Sequence, residues 1–144
     1  MKFKKFIGML LAGVMLMSTV PVFAEPNTED KKYTVWTSDG GYEKKIPVRY
    51  KTNTTKVYTR VESSPQYRMQ VRVYGYLNGQ YINKTTGGVA YVNRGVSSSI
   101  TNGIYEAGYR RASIAFRTTG GENYYGYASG VWSPDSTRNY TVVN

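Results

Sequence analysis

Residues Tyr67 to Ile82 read Y-R-M-Q-V-R-V-Y-G-Y-L-N-G-Q-Y-I, and this stretch decides the fold. As far as Leu77 its residues alternate with a period of two, which predicts a β-strand with an apolar face and a polar face. The apolar face carries Tyr67, Met69, Val71, Val73 and Leu77, and the polar face carries Arg68, Gln70, Arg72, Tyr74 and Tyr76. Asn78-Gly79 favours the positive φ angles of a type I′ turn, so the stretch is predicted to form a β-hairpin.

A two-residue loop also predicts the register of this hairpin. The facing pairs are then Leu77 with Gln80, Tyr76 with Tyr81, Gly75 with Ile82, and Tyr74 with Asn83. We expect Tyr76 and Tyr81 to form an aromatic cross-strand pair, and Gly75 to leave room for Ile82 on the core face. One step beyond Asn83 the register would place Lys84 on the core face, so the second strand is predicted to fray there or to contain a bulge.

The rest of the chain consists of short strand-like segments separated by turns rich in Gly, Pro, Asn and Ser. The predicted strands cover residues 33–37, 43–52, 56–62, 89–92, 95–100, 111–118, 124–133 and 140–143. Pro47 cannot donate a hydrogen bond, which indicates an edge strand or the start of a strand. Residues 104–110 have no clean period and are predicted to cross between sheets. Since no stretch has helical periodicity with caps, we predict an all-β fold, an antiparallel β-sandwich or small barrel of about eight short strands.

The N-terminus has the three parts of a secretory signal peptide. Lysines at 2, 4 and 5 precede an apolar run over residues 6–20, and Val22-Phe23-Ala24 is typical of a cleavage site. The alternative is an uncleaved membrane anchor, but the run is short and Pro21 interrupts it. We therefore predict a cleavable signal helix at 1–24, a flexible leader at 25–32 and a single β-sandwich domain at 33–144. Cleavage would yield a secreted, extracellular protein and lower the formal charge from +10 to +7.

Composition argues against catalysis. The chain contains no His and no Cys, which excludes the commonest metal ligands, the commonest general base and the cysteine nucleophile. Outside the leader the acids are Asp39, Glu43, Glu62, Glu106, Glu122 and Asp135, which we interpret as solvated loop carboxylates. We predict no enzyme, no cofactor and no metal. The alternative is a small wall-active hydrolase that uses a carboxylate pair such as Glu106 with Glu122.

A basic, tyrosine-rich polar face is the positive signal for binding. The candidate ligand-binding residues are Arg68, Arg72, Tyr74, Tyr76, Tyr81, Asn83, Arg60 and Trp132. Arg111 and Arg117 are predicted to line the outward side of another strand. Arginine beside exposed aromatic rings suits anionic cell-wall polymers, glycans or an anionic membrane surface, through charge and ring stacking. Secretion argues against nucleic acid. The alternatives are a merely soluble surface and, for Trp132, a place in the core.

Several short motifs resemble one group of proteins. They are N-T-T at Asn53 to Thr55, A-S-I-A-F at Ala112 to Phe116, and Y-A-S-G-V-W-S-P-D-S at Tyr127 to Ser136. Together with the signal, they resemble small secreted proteins of Gram-positive bacteria that form a family of unknown function. The resemblance implies a compact extracellular β-sandwich and supplies no catalytic residues. A fainter similarity to lactococcin-type bacteriocins adds a secreted antagonist as the alternative function.

Overall fold

The protein is described by a computed structural model that covers residues 25–42, 44–120 and 124–144. Within these ranges the chain forms ten β-strands and no helix. The strands are β1 (Lys31–Thr37), β2 (Arg49–Tyr50), β3 (Val57–Ser63), β4 (Arg68–Leu77), β5 (Gln80–Asn83), β6 (Ala90–Asn93), β7 (Ser97–Ile100), β8 (Arg111–Thr118), β9 (Gly126–Ser133) and β10 (Thr141–Val143). The predicted all-β class is confirmed, whereas the predicted signal helix lies outside the described residues.

The strands are arranged in two sheets that pack as a sandwich. The first sheet has the order β1-β9-β3-β7-β10. In the second sheet the order is β2-β8-β4, and β5 and β6 both pair with the far side of β4. Consecutive strands often belong to different sheets, and residues 104–110 connect the two sheets as the sequence predicts. The pairing of β10 with β7 is parallel, which departs from the purely antiparallel arrangement expected from short turns.

The core lies between the sheets and contains alternate residues of both. Met69, Val71 and Val73 of β4 are fully buried, as their period of two predicts. Aromatic stacking joins the layers, because the rings of Tyr33 on β1 and Phe116 on β8 lie 5.2 Å apart. The predicted burial of the apolar face is wrong at its two ends. Tyr67 and Leu77 are 60% and 57% exposed.

The hairpin has the predicted turn and register. Asn78 and Gly79 have φ angles of 50° and 80°, and the four predicted pairs from Leu77–Gln80 to Tyr74–Asn83 are all present. The rings of Tyr76 and Tyr81 lie 4.9 Å apart, and β5 ends at Asn83. The role expected of Gly75 is wrong, however. Its missing side chain makes room for the ring of Tyr109, whose nearest atom would lie 2.6 Å from an added Cβ, while Ile82 is 41% exposed.

An irregular segment runs along the free side of β8. The Ile46 N–H donates to the Ile114 carbonyl, and Lys45 forms an isolated bridge with Ala115. Beyond Pro47 the chain pairs again with β8 as the two-residue strand β2. β2 lies at the edge of the second sheet, as Pro47 predicts, but it is much shorter than the predicted strand over residues 43–52 and does not include Pro47. This segment brings Tyr42 and Lys45 over the outer side of the second sheet.

The N-terminal residues differ from the expected leader. Strand β1 begins at Lys31, two residues before the predicted domain boundary. Before β1, the Asn27 N–H donates to Asp135, and the Glu29 and Glu25 carbonyls accept bonds from Arg49 and Thr52. Residues 25–30 therefore contact the sandwich rather than leading away from it.

Candidate functional site

The outer side of the second sheet carries a surface built of cations and tyrosines. Alternation directs Arg68, Arg72 and Tyr76 of β4 outward, because the residues between them face the core. Pairing places Arg117 of β8 on one side of Gln70 and Tyr91 of β6 on the other. The cation–tyrosine face consists of Lys45, Arg68, Arg72, Arg117, Tyr42, Tyr74, Tyr76, Tyr81 and Tyr91. The predicted outward position of Arg117 is confirmed.

Cations and rings alternate across this face. The Arg68 guanidinium lies 4.3 Å from the centre of the Tyr91 ring, and the Arg72 guanidinium lies 4.3 Å from that of Tyr42. The Lys45 ammonium lies 5.0 Å from the Tyr74 ring and 5.3 Å from the Tyr81 ring. Each such contact contributes about 0.5–1 kcal/mol at an exposed site. The rings thus hold the cationic heads in place over the sheet.

At the far end of the same sheet side, a further pair repeats the pattern. The Arg111 guanidinium lies 5.2 Å from the centre of the Tyr50 ring, and it donates a hydrogen bond of 3.3 Å to the Tyr50 hydroxyl. Both residues are exposed. The pairing of β2 with β8 places them opposite each other, which also confirms the predicted outward position of Arg111.

Two tyrosines form the floor of the face rather than its accessible surface. Tyr42 and Tyr74 are only 8% and 7% exposed, and they pack with Ala115 and the half-buried Val89. Burial raises the pKa of both phenols above the ordinary value, so they remain neutral. The Tyr42 hydroxyl donates to the Gln70 side chain at 2.6 Å. The prediction of Tyr74 as an open ligand contact is wrong, because the segment around Tyr42 and Lys45 covers it.

The positive charge of this face is not neutralised by carboxylates of the described residues. The ion pairs among the described residues join Glu29 to Lys31 and Arg49, and Asp135 to Lys51. None involves the cation–tyrosine face. The Nε atoms of Arg72 and Arg117 are buried and have no hydrogen-bond partner among the described residues. The face therefore concentrates positive charge, with part of its hydrogen-bonding capacity unused.

Three further residues predicted for this site lie elsewhere or are already engaged. Arg60 points outward from β3, which belongs to the first sheet, so it lies on the opposite side of the sandwich. Trp132 is 1% exposed and part of the core. The amide of Asn83 donates to the Gly88 carbonyl at 2.6 Å and accepts from the Thr85 hydroxyl at 2.8 Å, so it stabilises the turn after β5.

A buried ion pair is the second concentration of charge, and the sequence did not indicate it. The ammonium of Lys51 donates to the Asp135 carboxylate at 3.0 Å and to the Thr55 and Pro134 carbonyls. The interpretation of Asp135 as a solvated loop acid is wrong, since the residue is fully buried. Its other oxygen accepts from the Asn27 N–H and from the backbone and hydroxyl of Thr52.

This ion pair joins the motifs that carry the family resemblance. The Ser136 N–H, at the end of S-P-D-S, donates to the Thr55 hydroxyl at the end of N-T-T. Burial by itself raises the pKa of Asp135, but the Thr52 N–H, the Lys51 ammonium and the Asn27 N–H outweigh burial and lower that pKa below its ordinary value. The Lys51 ammonium uses its three donors on internal acceptors and both Asp135 oxygens accept internal hydrogen bonds, so the pair joins parts of the fold rather than forming a binding site.

The described residues contain no group of three or more His, Cys, Asp and Glu side chains that could hold a metal ion. Nor do they contain a helix long and apolar enough to cross a membrane. Of the two carboxylates proposed for a hydrolase, Glu106 is exposed in the connection between β7 and β8, and Glu122 lies outside the described residues.

Fold and face together define the protein as a cysteine-free β-sandwich with a cationic, tyrosine-lined outer side. Residues 20–136 match the family described as "Protein of unknown function (DUF2712)", and the chain belongs to this family. The match confirms the expected membership in a family of unknown function. Neither the comparison with curated proteins nor the comparison with solved structures found a match.

Proposed function

We propose that this protein acts after secretion as a non-catalytic binder of anionic polymers at a cell surface. Removal of residues 1–24 as a signal peptide would place the sandwich outside the cell. The cation–tyrosine face is the binding surface, and wall polymers or glycans that carry phosphate or carboxylate groups are its ligands. No step of covalent chemistry is required of the protein.

The observation that carries the proposal is the arrangement of cations held on rings, without carboxylate partners among the described residues. Arginines held over tyrosines lose less side-chain freedom when an anion binds, which reduces the cost of association. A guanidinium can donate two parallel hydrogen bonds to a phosphate or carboxylate, and Arg68 is exposed. The repeated Arg68–Tyr91 and Arg72–Tyr42 pairs match a ligand with repeated charges better than a single small anion.

The test compares two double variants of the mature chain for binding to soluble polygalacturonate and to polyphosphate. Arg68→Ala/Arg72→Ala removes two cations from the proposed face, and Arg60→Ala/Arg138→Ala removes two exposed arginines that are not part of it. The two variants have the same net charge. We expect the face variant to lose about tenfold or more in affinity, as loss of charge-assisted hydrogen bonds predicts, and the control to change little.

Salt provides the second measurement. Binding through this face should weaken strongly when the salt concentration rises from about 0.1 M to about 1 M, because the Debye length falls from about 10 Å to about 3 Å. Equal weakening in both double variants would show that only net charge matters and would contradict a defined face. Binding to neither polymer by the wild-type chain would refute the proposal. Thermal unfolding of each variant verifies that the sandwich remains folded.

A further inference from the structure

Exposed aromatic side chains collect at one end of the first sheet. Trp36 of β1 faces Tyr127 of β9 across the strand pair, with their rings 5.1 Å apart and nearly perpendicular. The Tyr125 ring lies 5.9 Å from Trp36. These three residues, the aromatic platform, are 42%, 65% and 61% exposed, respectively. Large side chains exposed together at this level, on a sheet whose core is already filled, mark an interaction surface.

The aromatic platform is connected to the cation–tyrosine face. Tyr124, which precedes Tyr125 in the chain, lines a shallow cleft of about 280 Å³ together with Tyr67 and Arg68. Arg68 in turn lies over the Tyr91 ring on the cation–tyrosine face. Tyr67 and Tyr124 are themselves 60% and 47% exposed. The cleft therefore places two exposed rings beside Arg68, the first arginine of the proposed binding face, and Tyr124 is the chain neighbour of Tyr125 in the platform.

The surroundings of the aromatic platform favour sugar rings over lipid. The outward residues nearest to Trp36 and Tyr127 on their strands are Thr34 and Ser129, which face each other and carry hydroxyl groups. All three platform rings have a polar edge, an indole N–H or a phenol. No aliphatic side chain occupies these neighbouring outward positions, as membrane insertion would favour. Flat apolar rings bordered by hydroxyl groups match a pyranose, which has an apolar C–H face and polar edges.

We propose that the aromatic platform stacks sugar rings of the same polymer whose charges bind the cation–tyrosine face. This inference rests on the proposed function and narrows its ligand to an anionic polysaccharide, or a polymer with sugars on a charged backbone. The rings hold the saccharide through stacking, and the cleft beside Arg68 directs the chain toward the cations. A polymer of phosphates alone would bind the cations of the cation–tyrosine face and would not contact the aromatic platform.

The experiment uses Trp36→Thr/Tyr127→Thr, since threonine retains the preference for a strand and removes both rings. For the full secreted chain, we expect this variant to lose about tenfold in affinity for polygalacturonate, as loss of two aromatic contacts predicts. Its affinity for polyphosphate should remain within about twofold of wild type. Arg68→Ala/Arg72→Ala should weaken binding of both polymers. A neutral chitin hexasaccharide should bind wild type weakly, independently of salt, and should not bind the platform variant.

The possible failures can be distinguished. Equal affinity of the platform variant and wild type for polygalacturonate and for the hexasaccharide would overturn this inference while leaving the cation–tyrosine face intact. If the arginine variant binds both polyanions as wild type does, the proposed function fails, and the neutral hexasaccharide still tests the platform. Binding to anionic phosphatidylglycerol vesicles that is lost in the platform variant, without any sugar binding, would assign the platform to a membrane and overturn the inference. Unfolding temperatures verify the fold of each variant.

Discussion

Removing the carboxylate of Asp135 should be among the most damaging changes at a single charged residue. The residue is fully buried and accepts hydrogen bonds from Lys51, Asn27 and Thr52. Asp135→Ala leaves the Lys51 ammonium buried without its counter-ion and leaves two backbone N–H groups without an acceptor. Removing one partner of a buried ion pair costs about 3–5 kcal/mol. Domains of this size are stable by about 5–15 kcal/mol, so the variant should retain only part of its stability.

The magnitude converts into a measurable shift. For a domain of this size, each kcal/mol lowers the unfolding temperature by about 4 °C, so we expect Asp135→Ala to unfold about 12–20 °C below wild type. Lys51→Met should cost less, because the Asp135 carboxylate keeps the Asn27 and Thr52 hydrogen bonds. Urea unfolding can be followed through the fluorescence of the core residue Trp132, which is 1% exposed. Glu106→Ala, at an exposed carboxylate, is the matched control and should change stability by less than about 0.5 kcal/mol.

The double variant Lys51→Met/Asp135→Ala supplies the decisive comparison. If the two residues form one buried pair, their combined cost should be smaller than the sum of the single costs, because the double variant leaves neither charge unpaired. Strict additivity of the two single variants, or an Asp135→Ala variant as stable as Glu106→Ala, would refute the reasoning. The first result would mean that the charges do not interact, and the second that the carboxylate is solvated.

The remaining predictions concern pH and close packing. The folded-state pKa of Asp135 is lowered, so its stabilising effect is present above its ordinary pKa of 3.8 and is lost as the pH falls through the folded value. Urea unfolding of wild type between about pH 5 and pH 2 should therefore show a decrease in stability that is smaller in Asp135→Ala; identical profiles would contradict the assignment. Gly130→Ala should destabilise by more than about 2 kcal/mol, since an added Cβ would lie 2.0 Å from the Arg60 carbonyl oxygen. Gly103→Ala, where an added Cβ meets nothing within 4 Å, should stay within about 1 kcal/mol of wild type in the same assay. Comparable losses in both glycine variants would contradict the close approach of β3 and β9.

Features with local causes could be predicted from the sequence. The register between β4 and β5 follows from Asn78-Gly79, because a two-residue type I′ turn leaves the flanking strands one way to pair. The bounds of β8 follow from the alternation over residues 111–118, which the structure reproduces. Pro47 predicts an edge because it lacks a donor, whatever the rest of the fold. Each of these rests on residues that are neighbours in the chain.

Predictions that needed knowledge of distant neighbours failed. Asp135 is separated in sequence from Thr52, Lys51 and Asn27 by 83, 84 and 108 residues, respectively, so nothing near it in the chain indicates burial. The sequence predicts that Gly75 makes room for its cross-strand neighbour, but the space is occupied by Tyr109, which comes from the β7–β8 connection. Arg60 follows the same alternating pattern as Arg68, yet β3 and β4 lie in different sheets.

The candidate binding face shows the same division. Sequence alone determined that β4 presents arginines and tyrosines on the side opposite its core residues, because a strand directs alternate side chains to opposite faces. Only the tertiary structure decided which of them are accessible. Tyr42 and Lys45 cover Tyr74, and β6 supplies Tyr91 beneath Arg68. Such contacts depend on which strands become neighbours, and that follows from how the core of both sheets packs rather than from any local pattern.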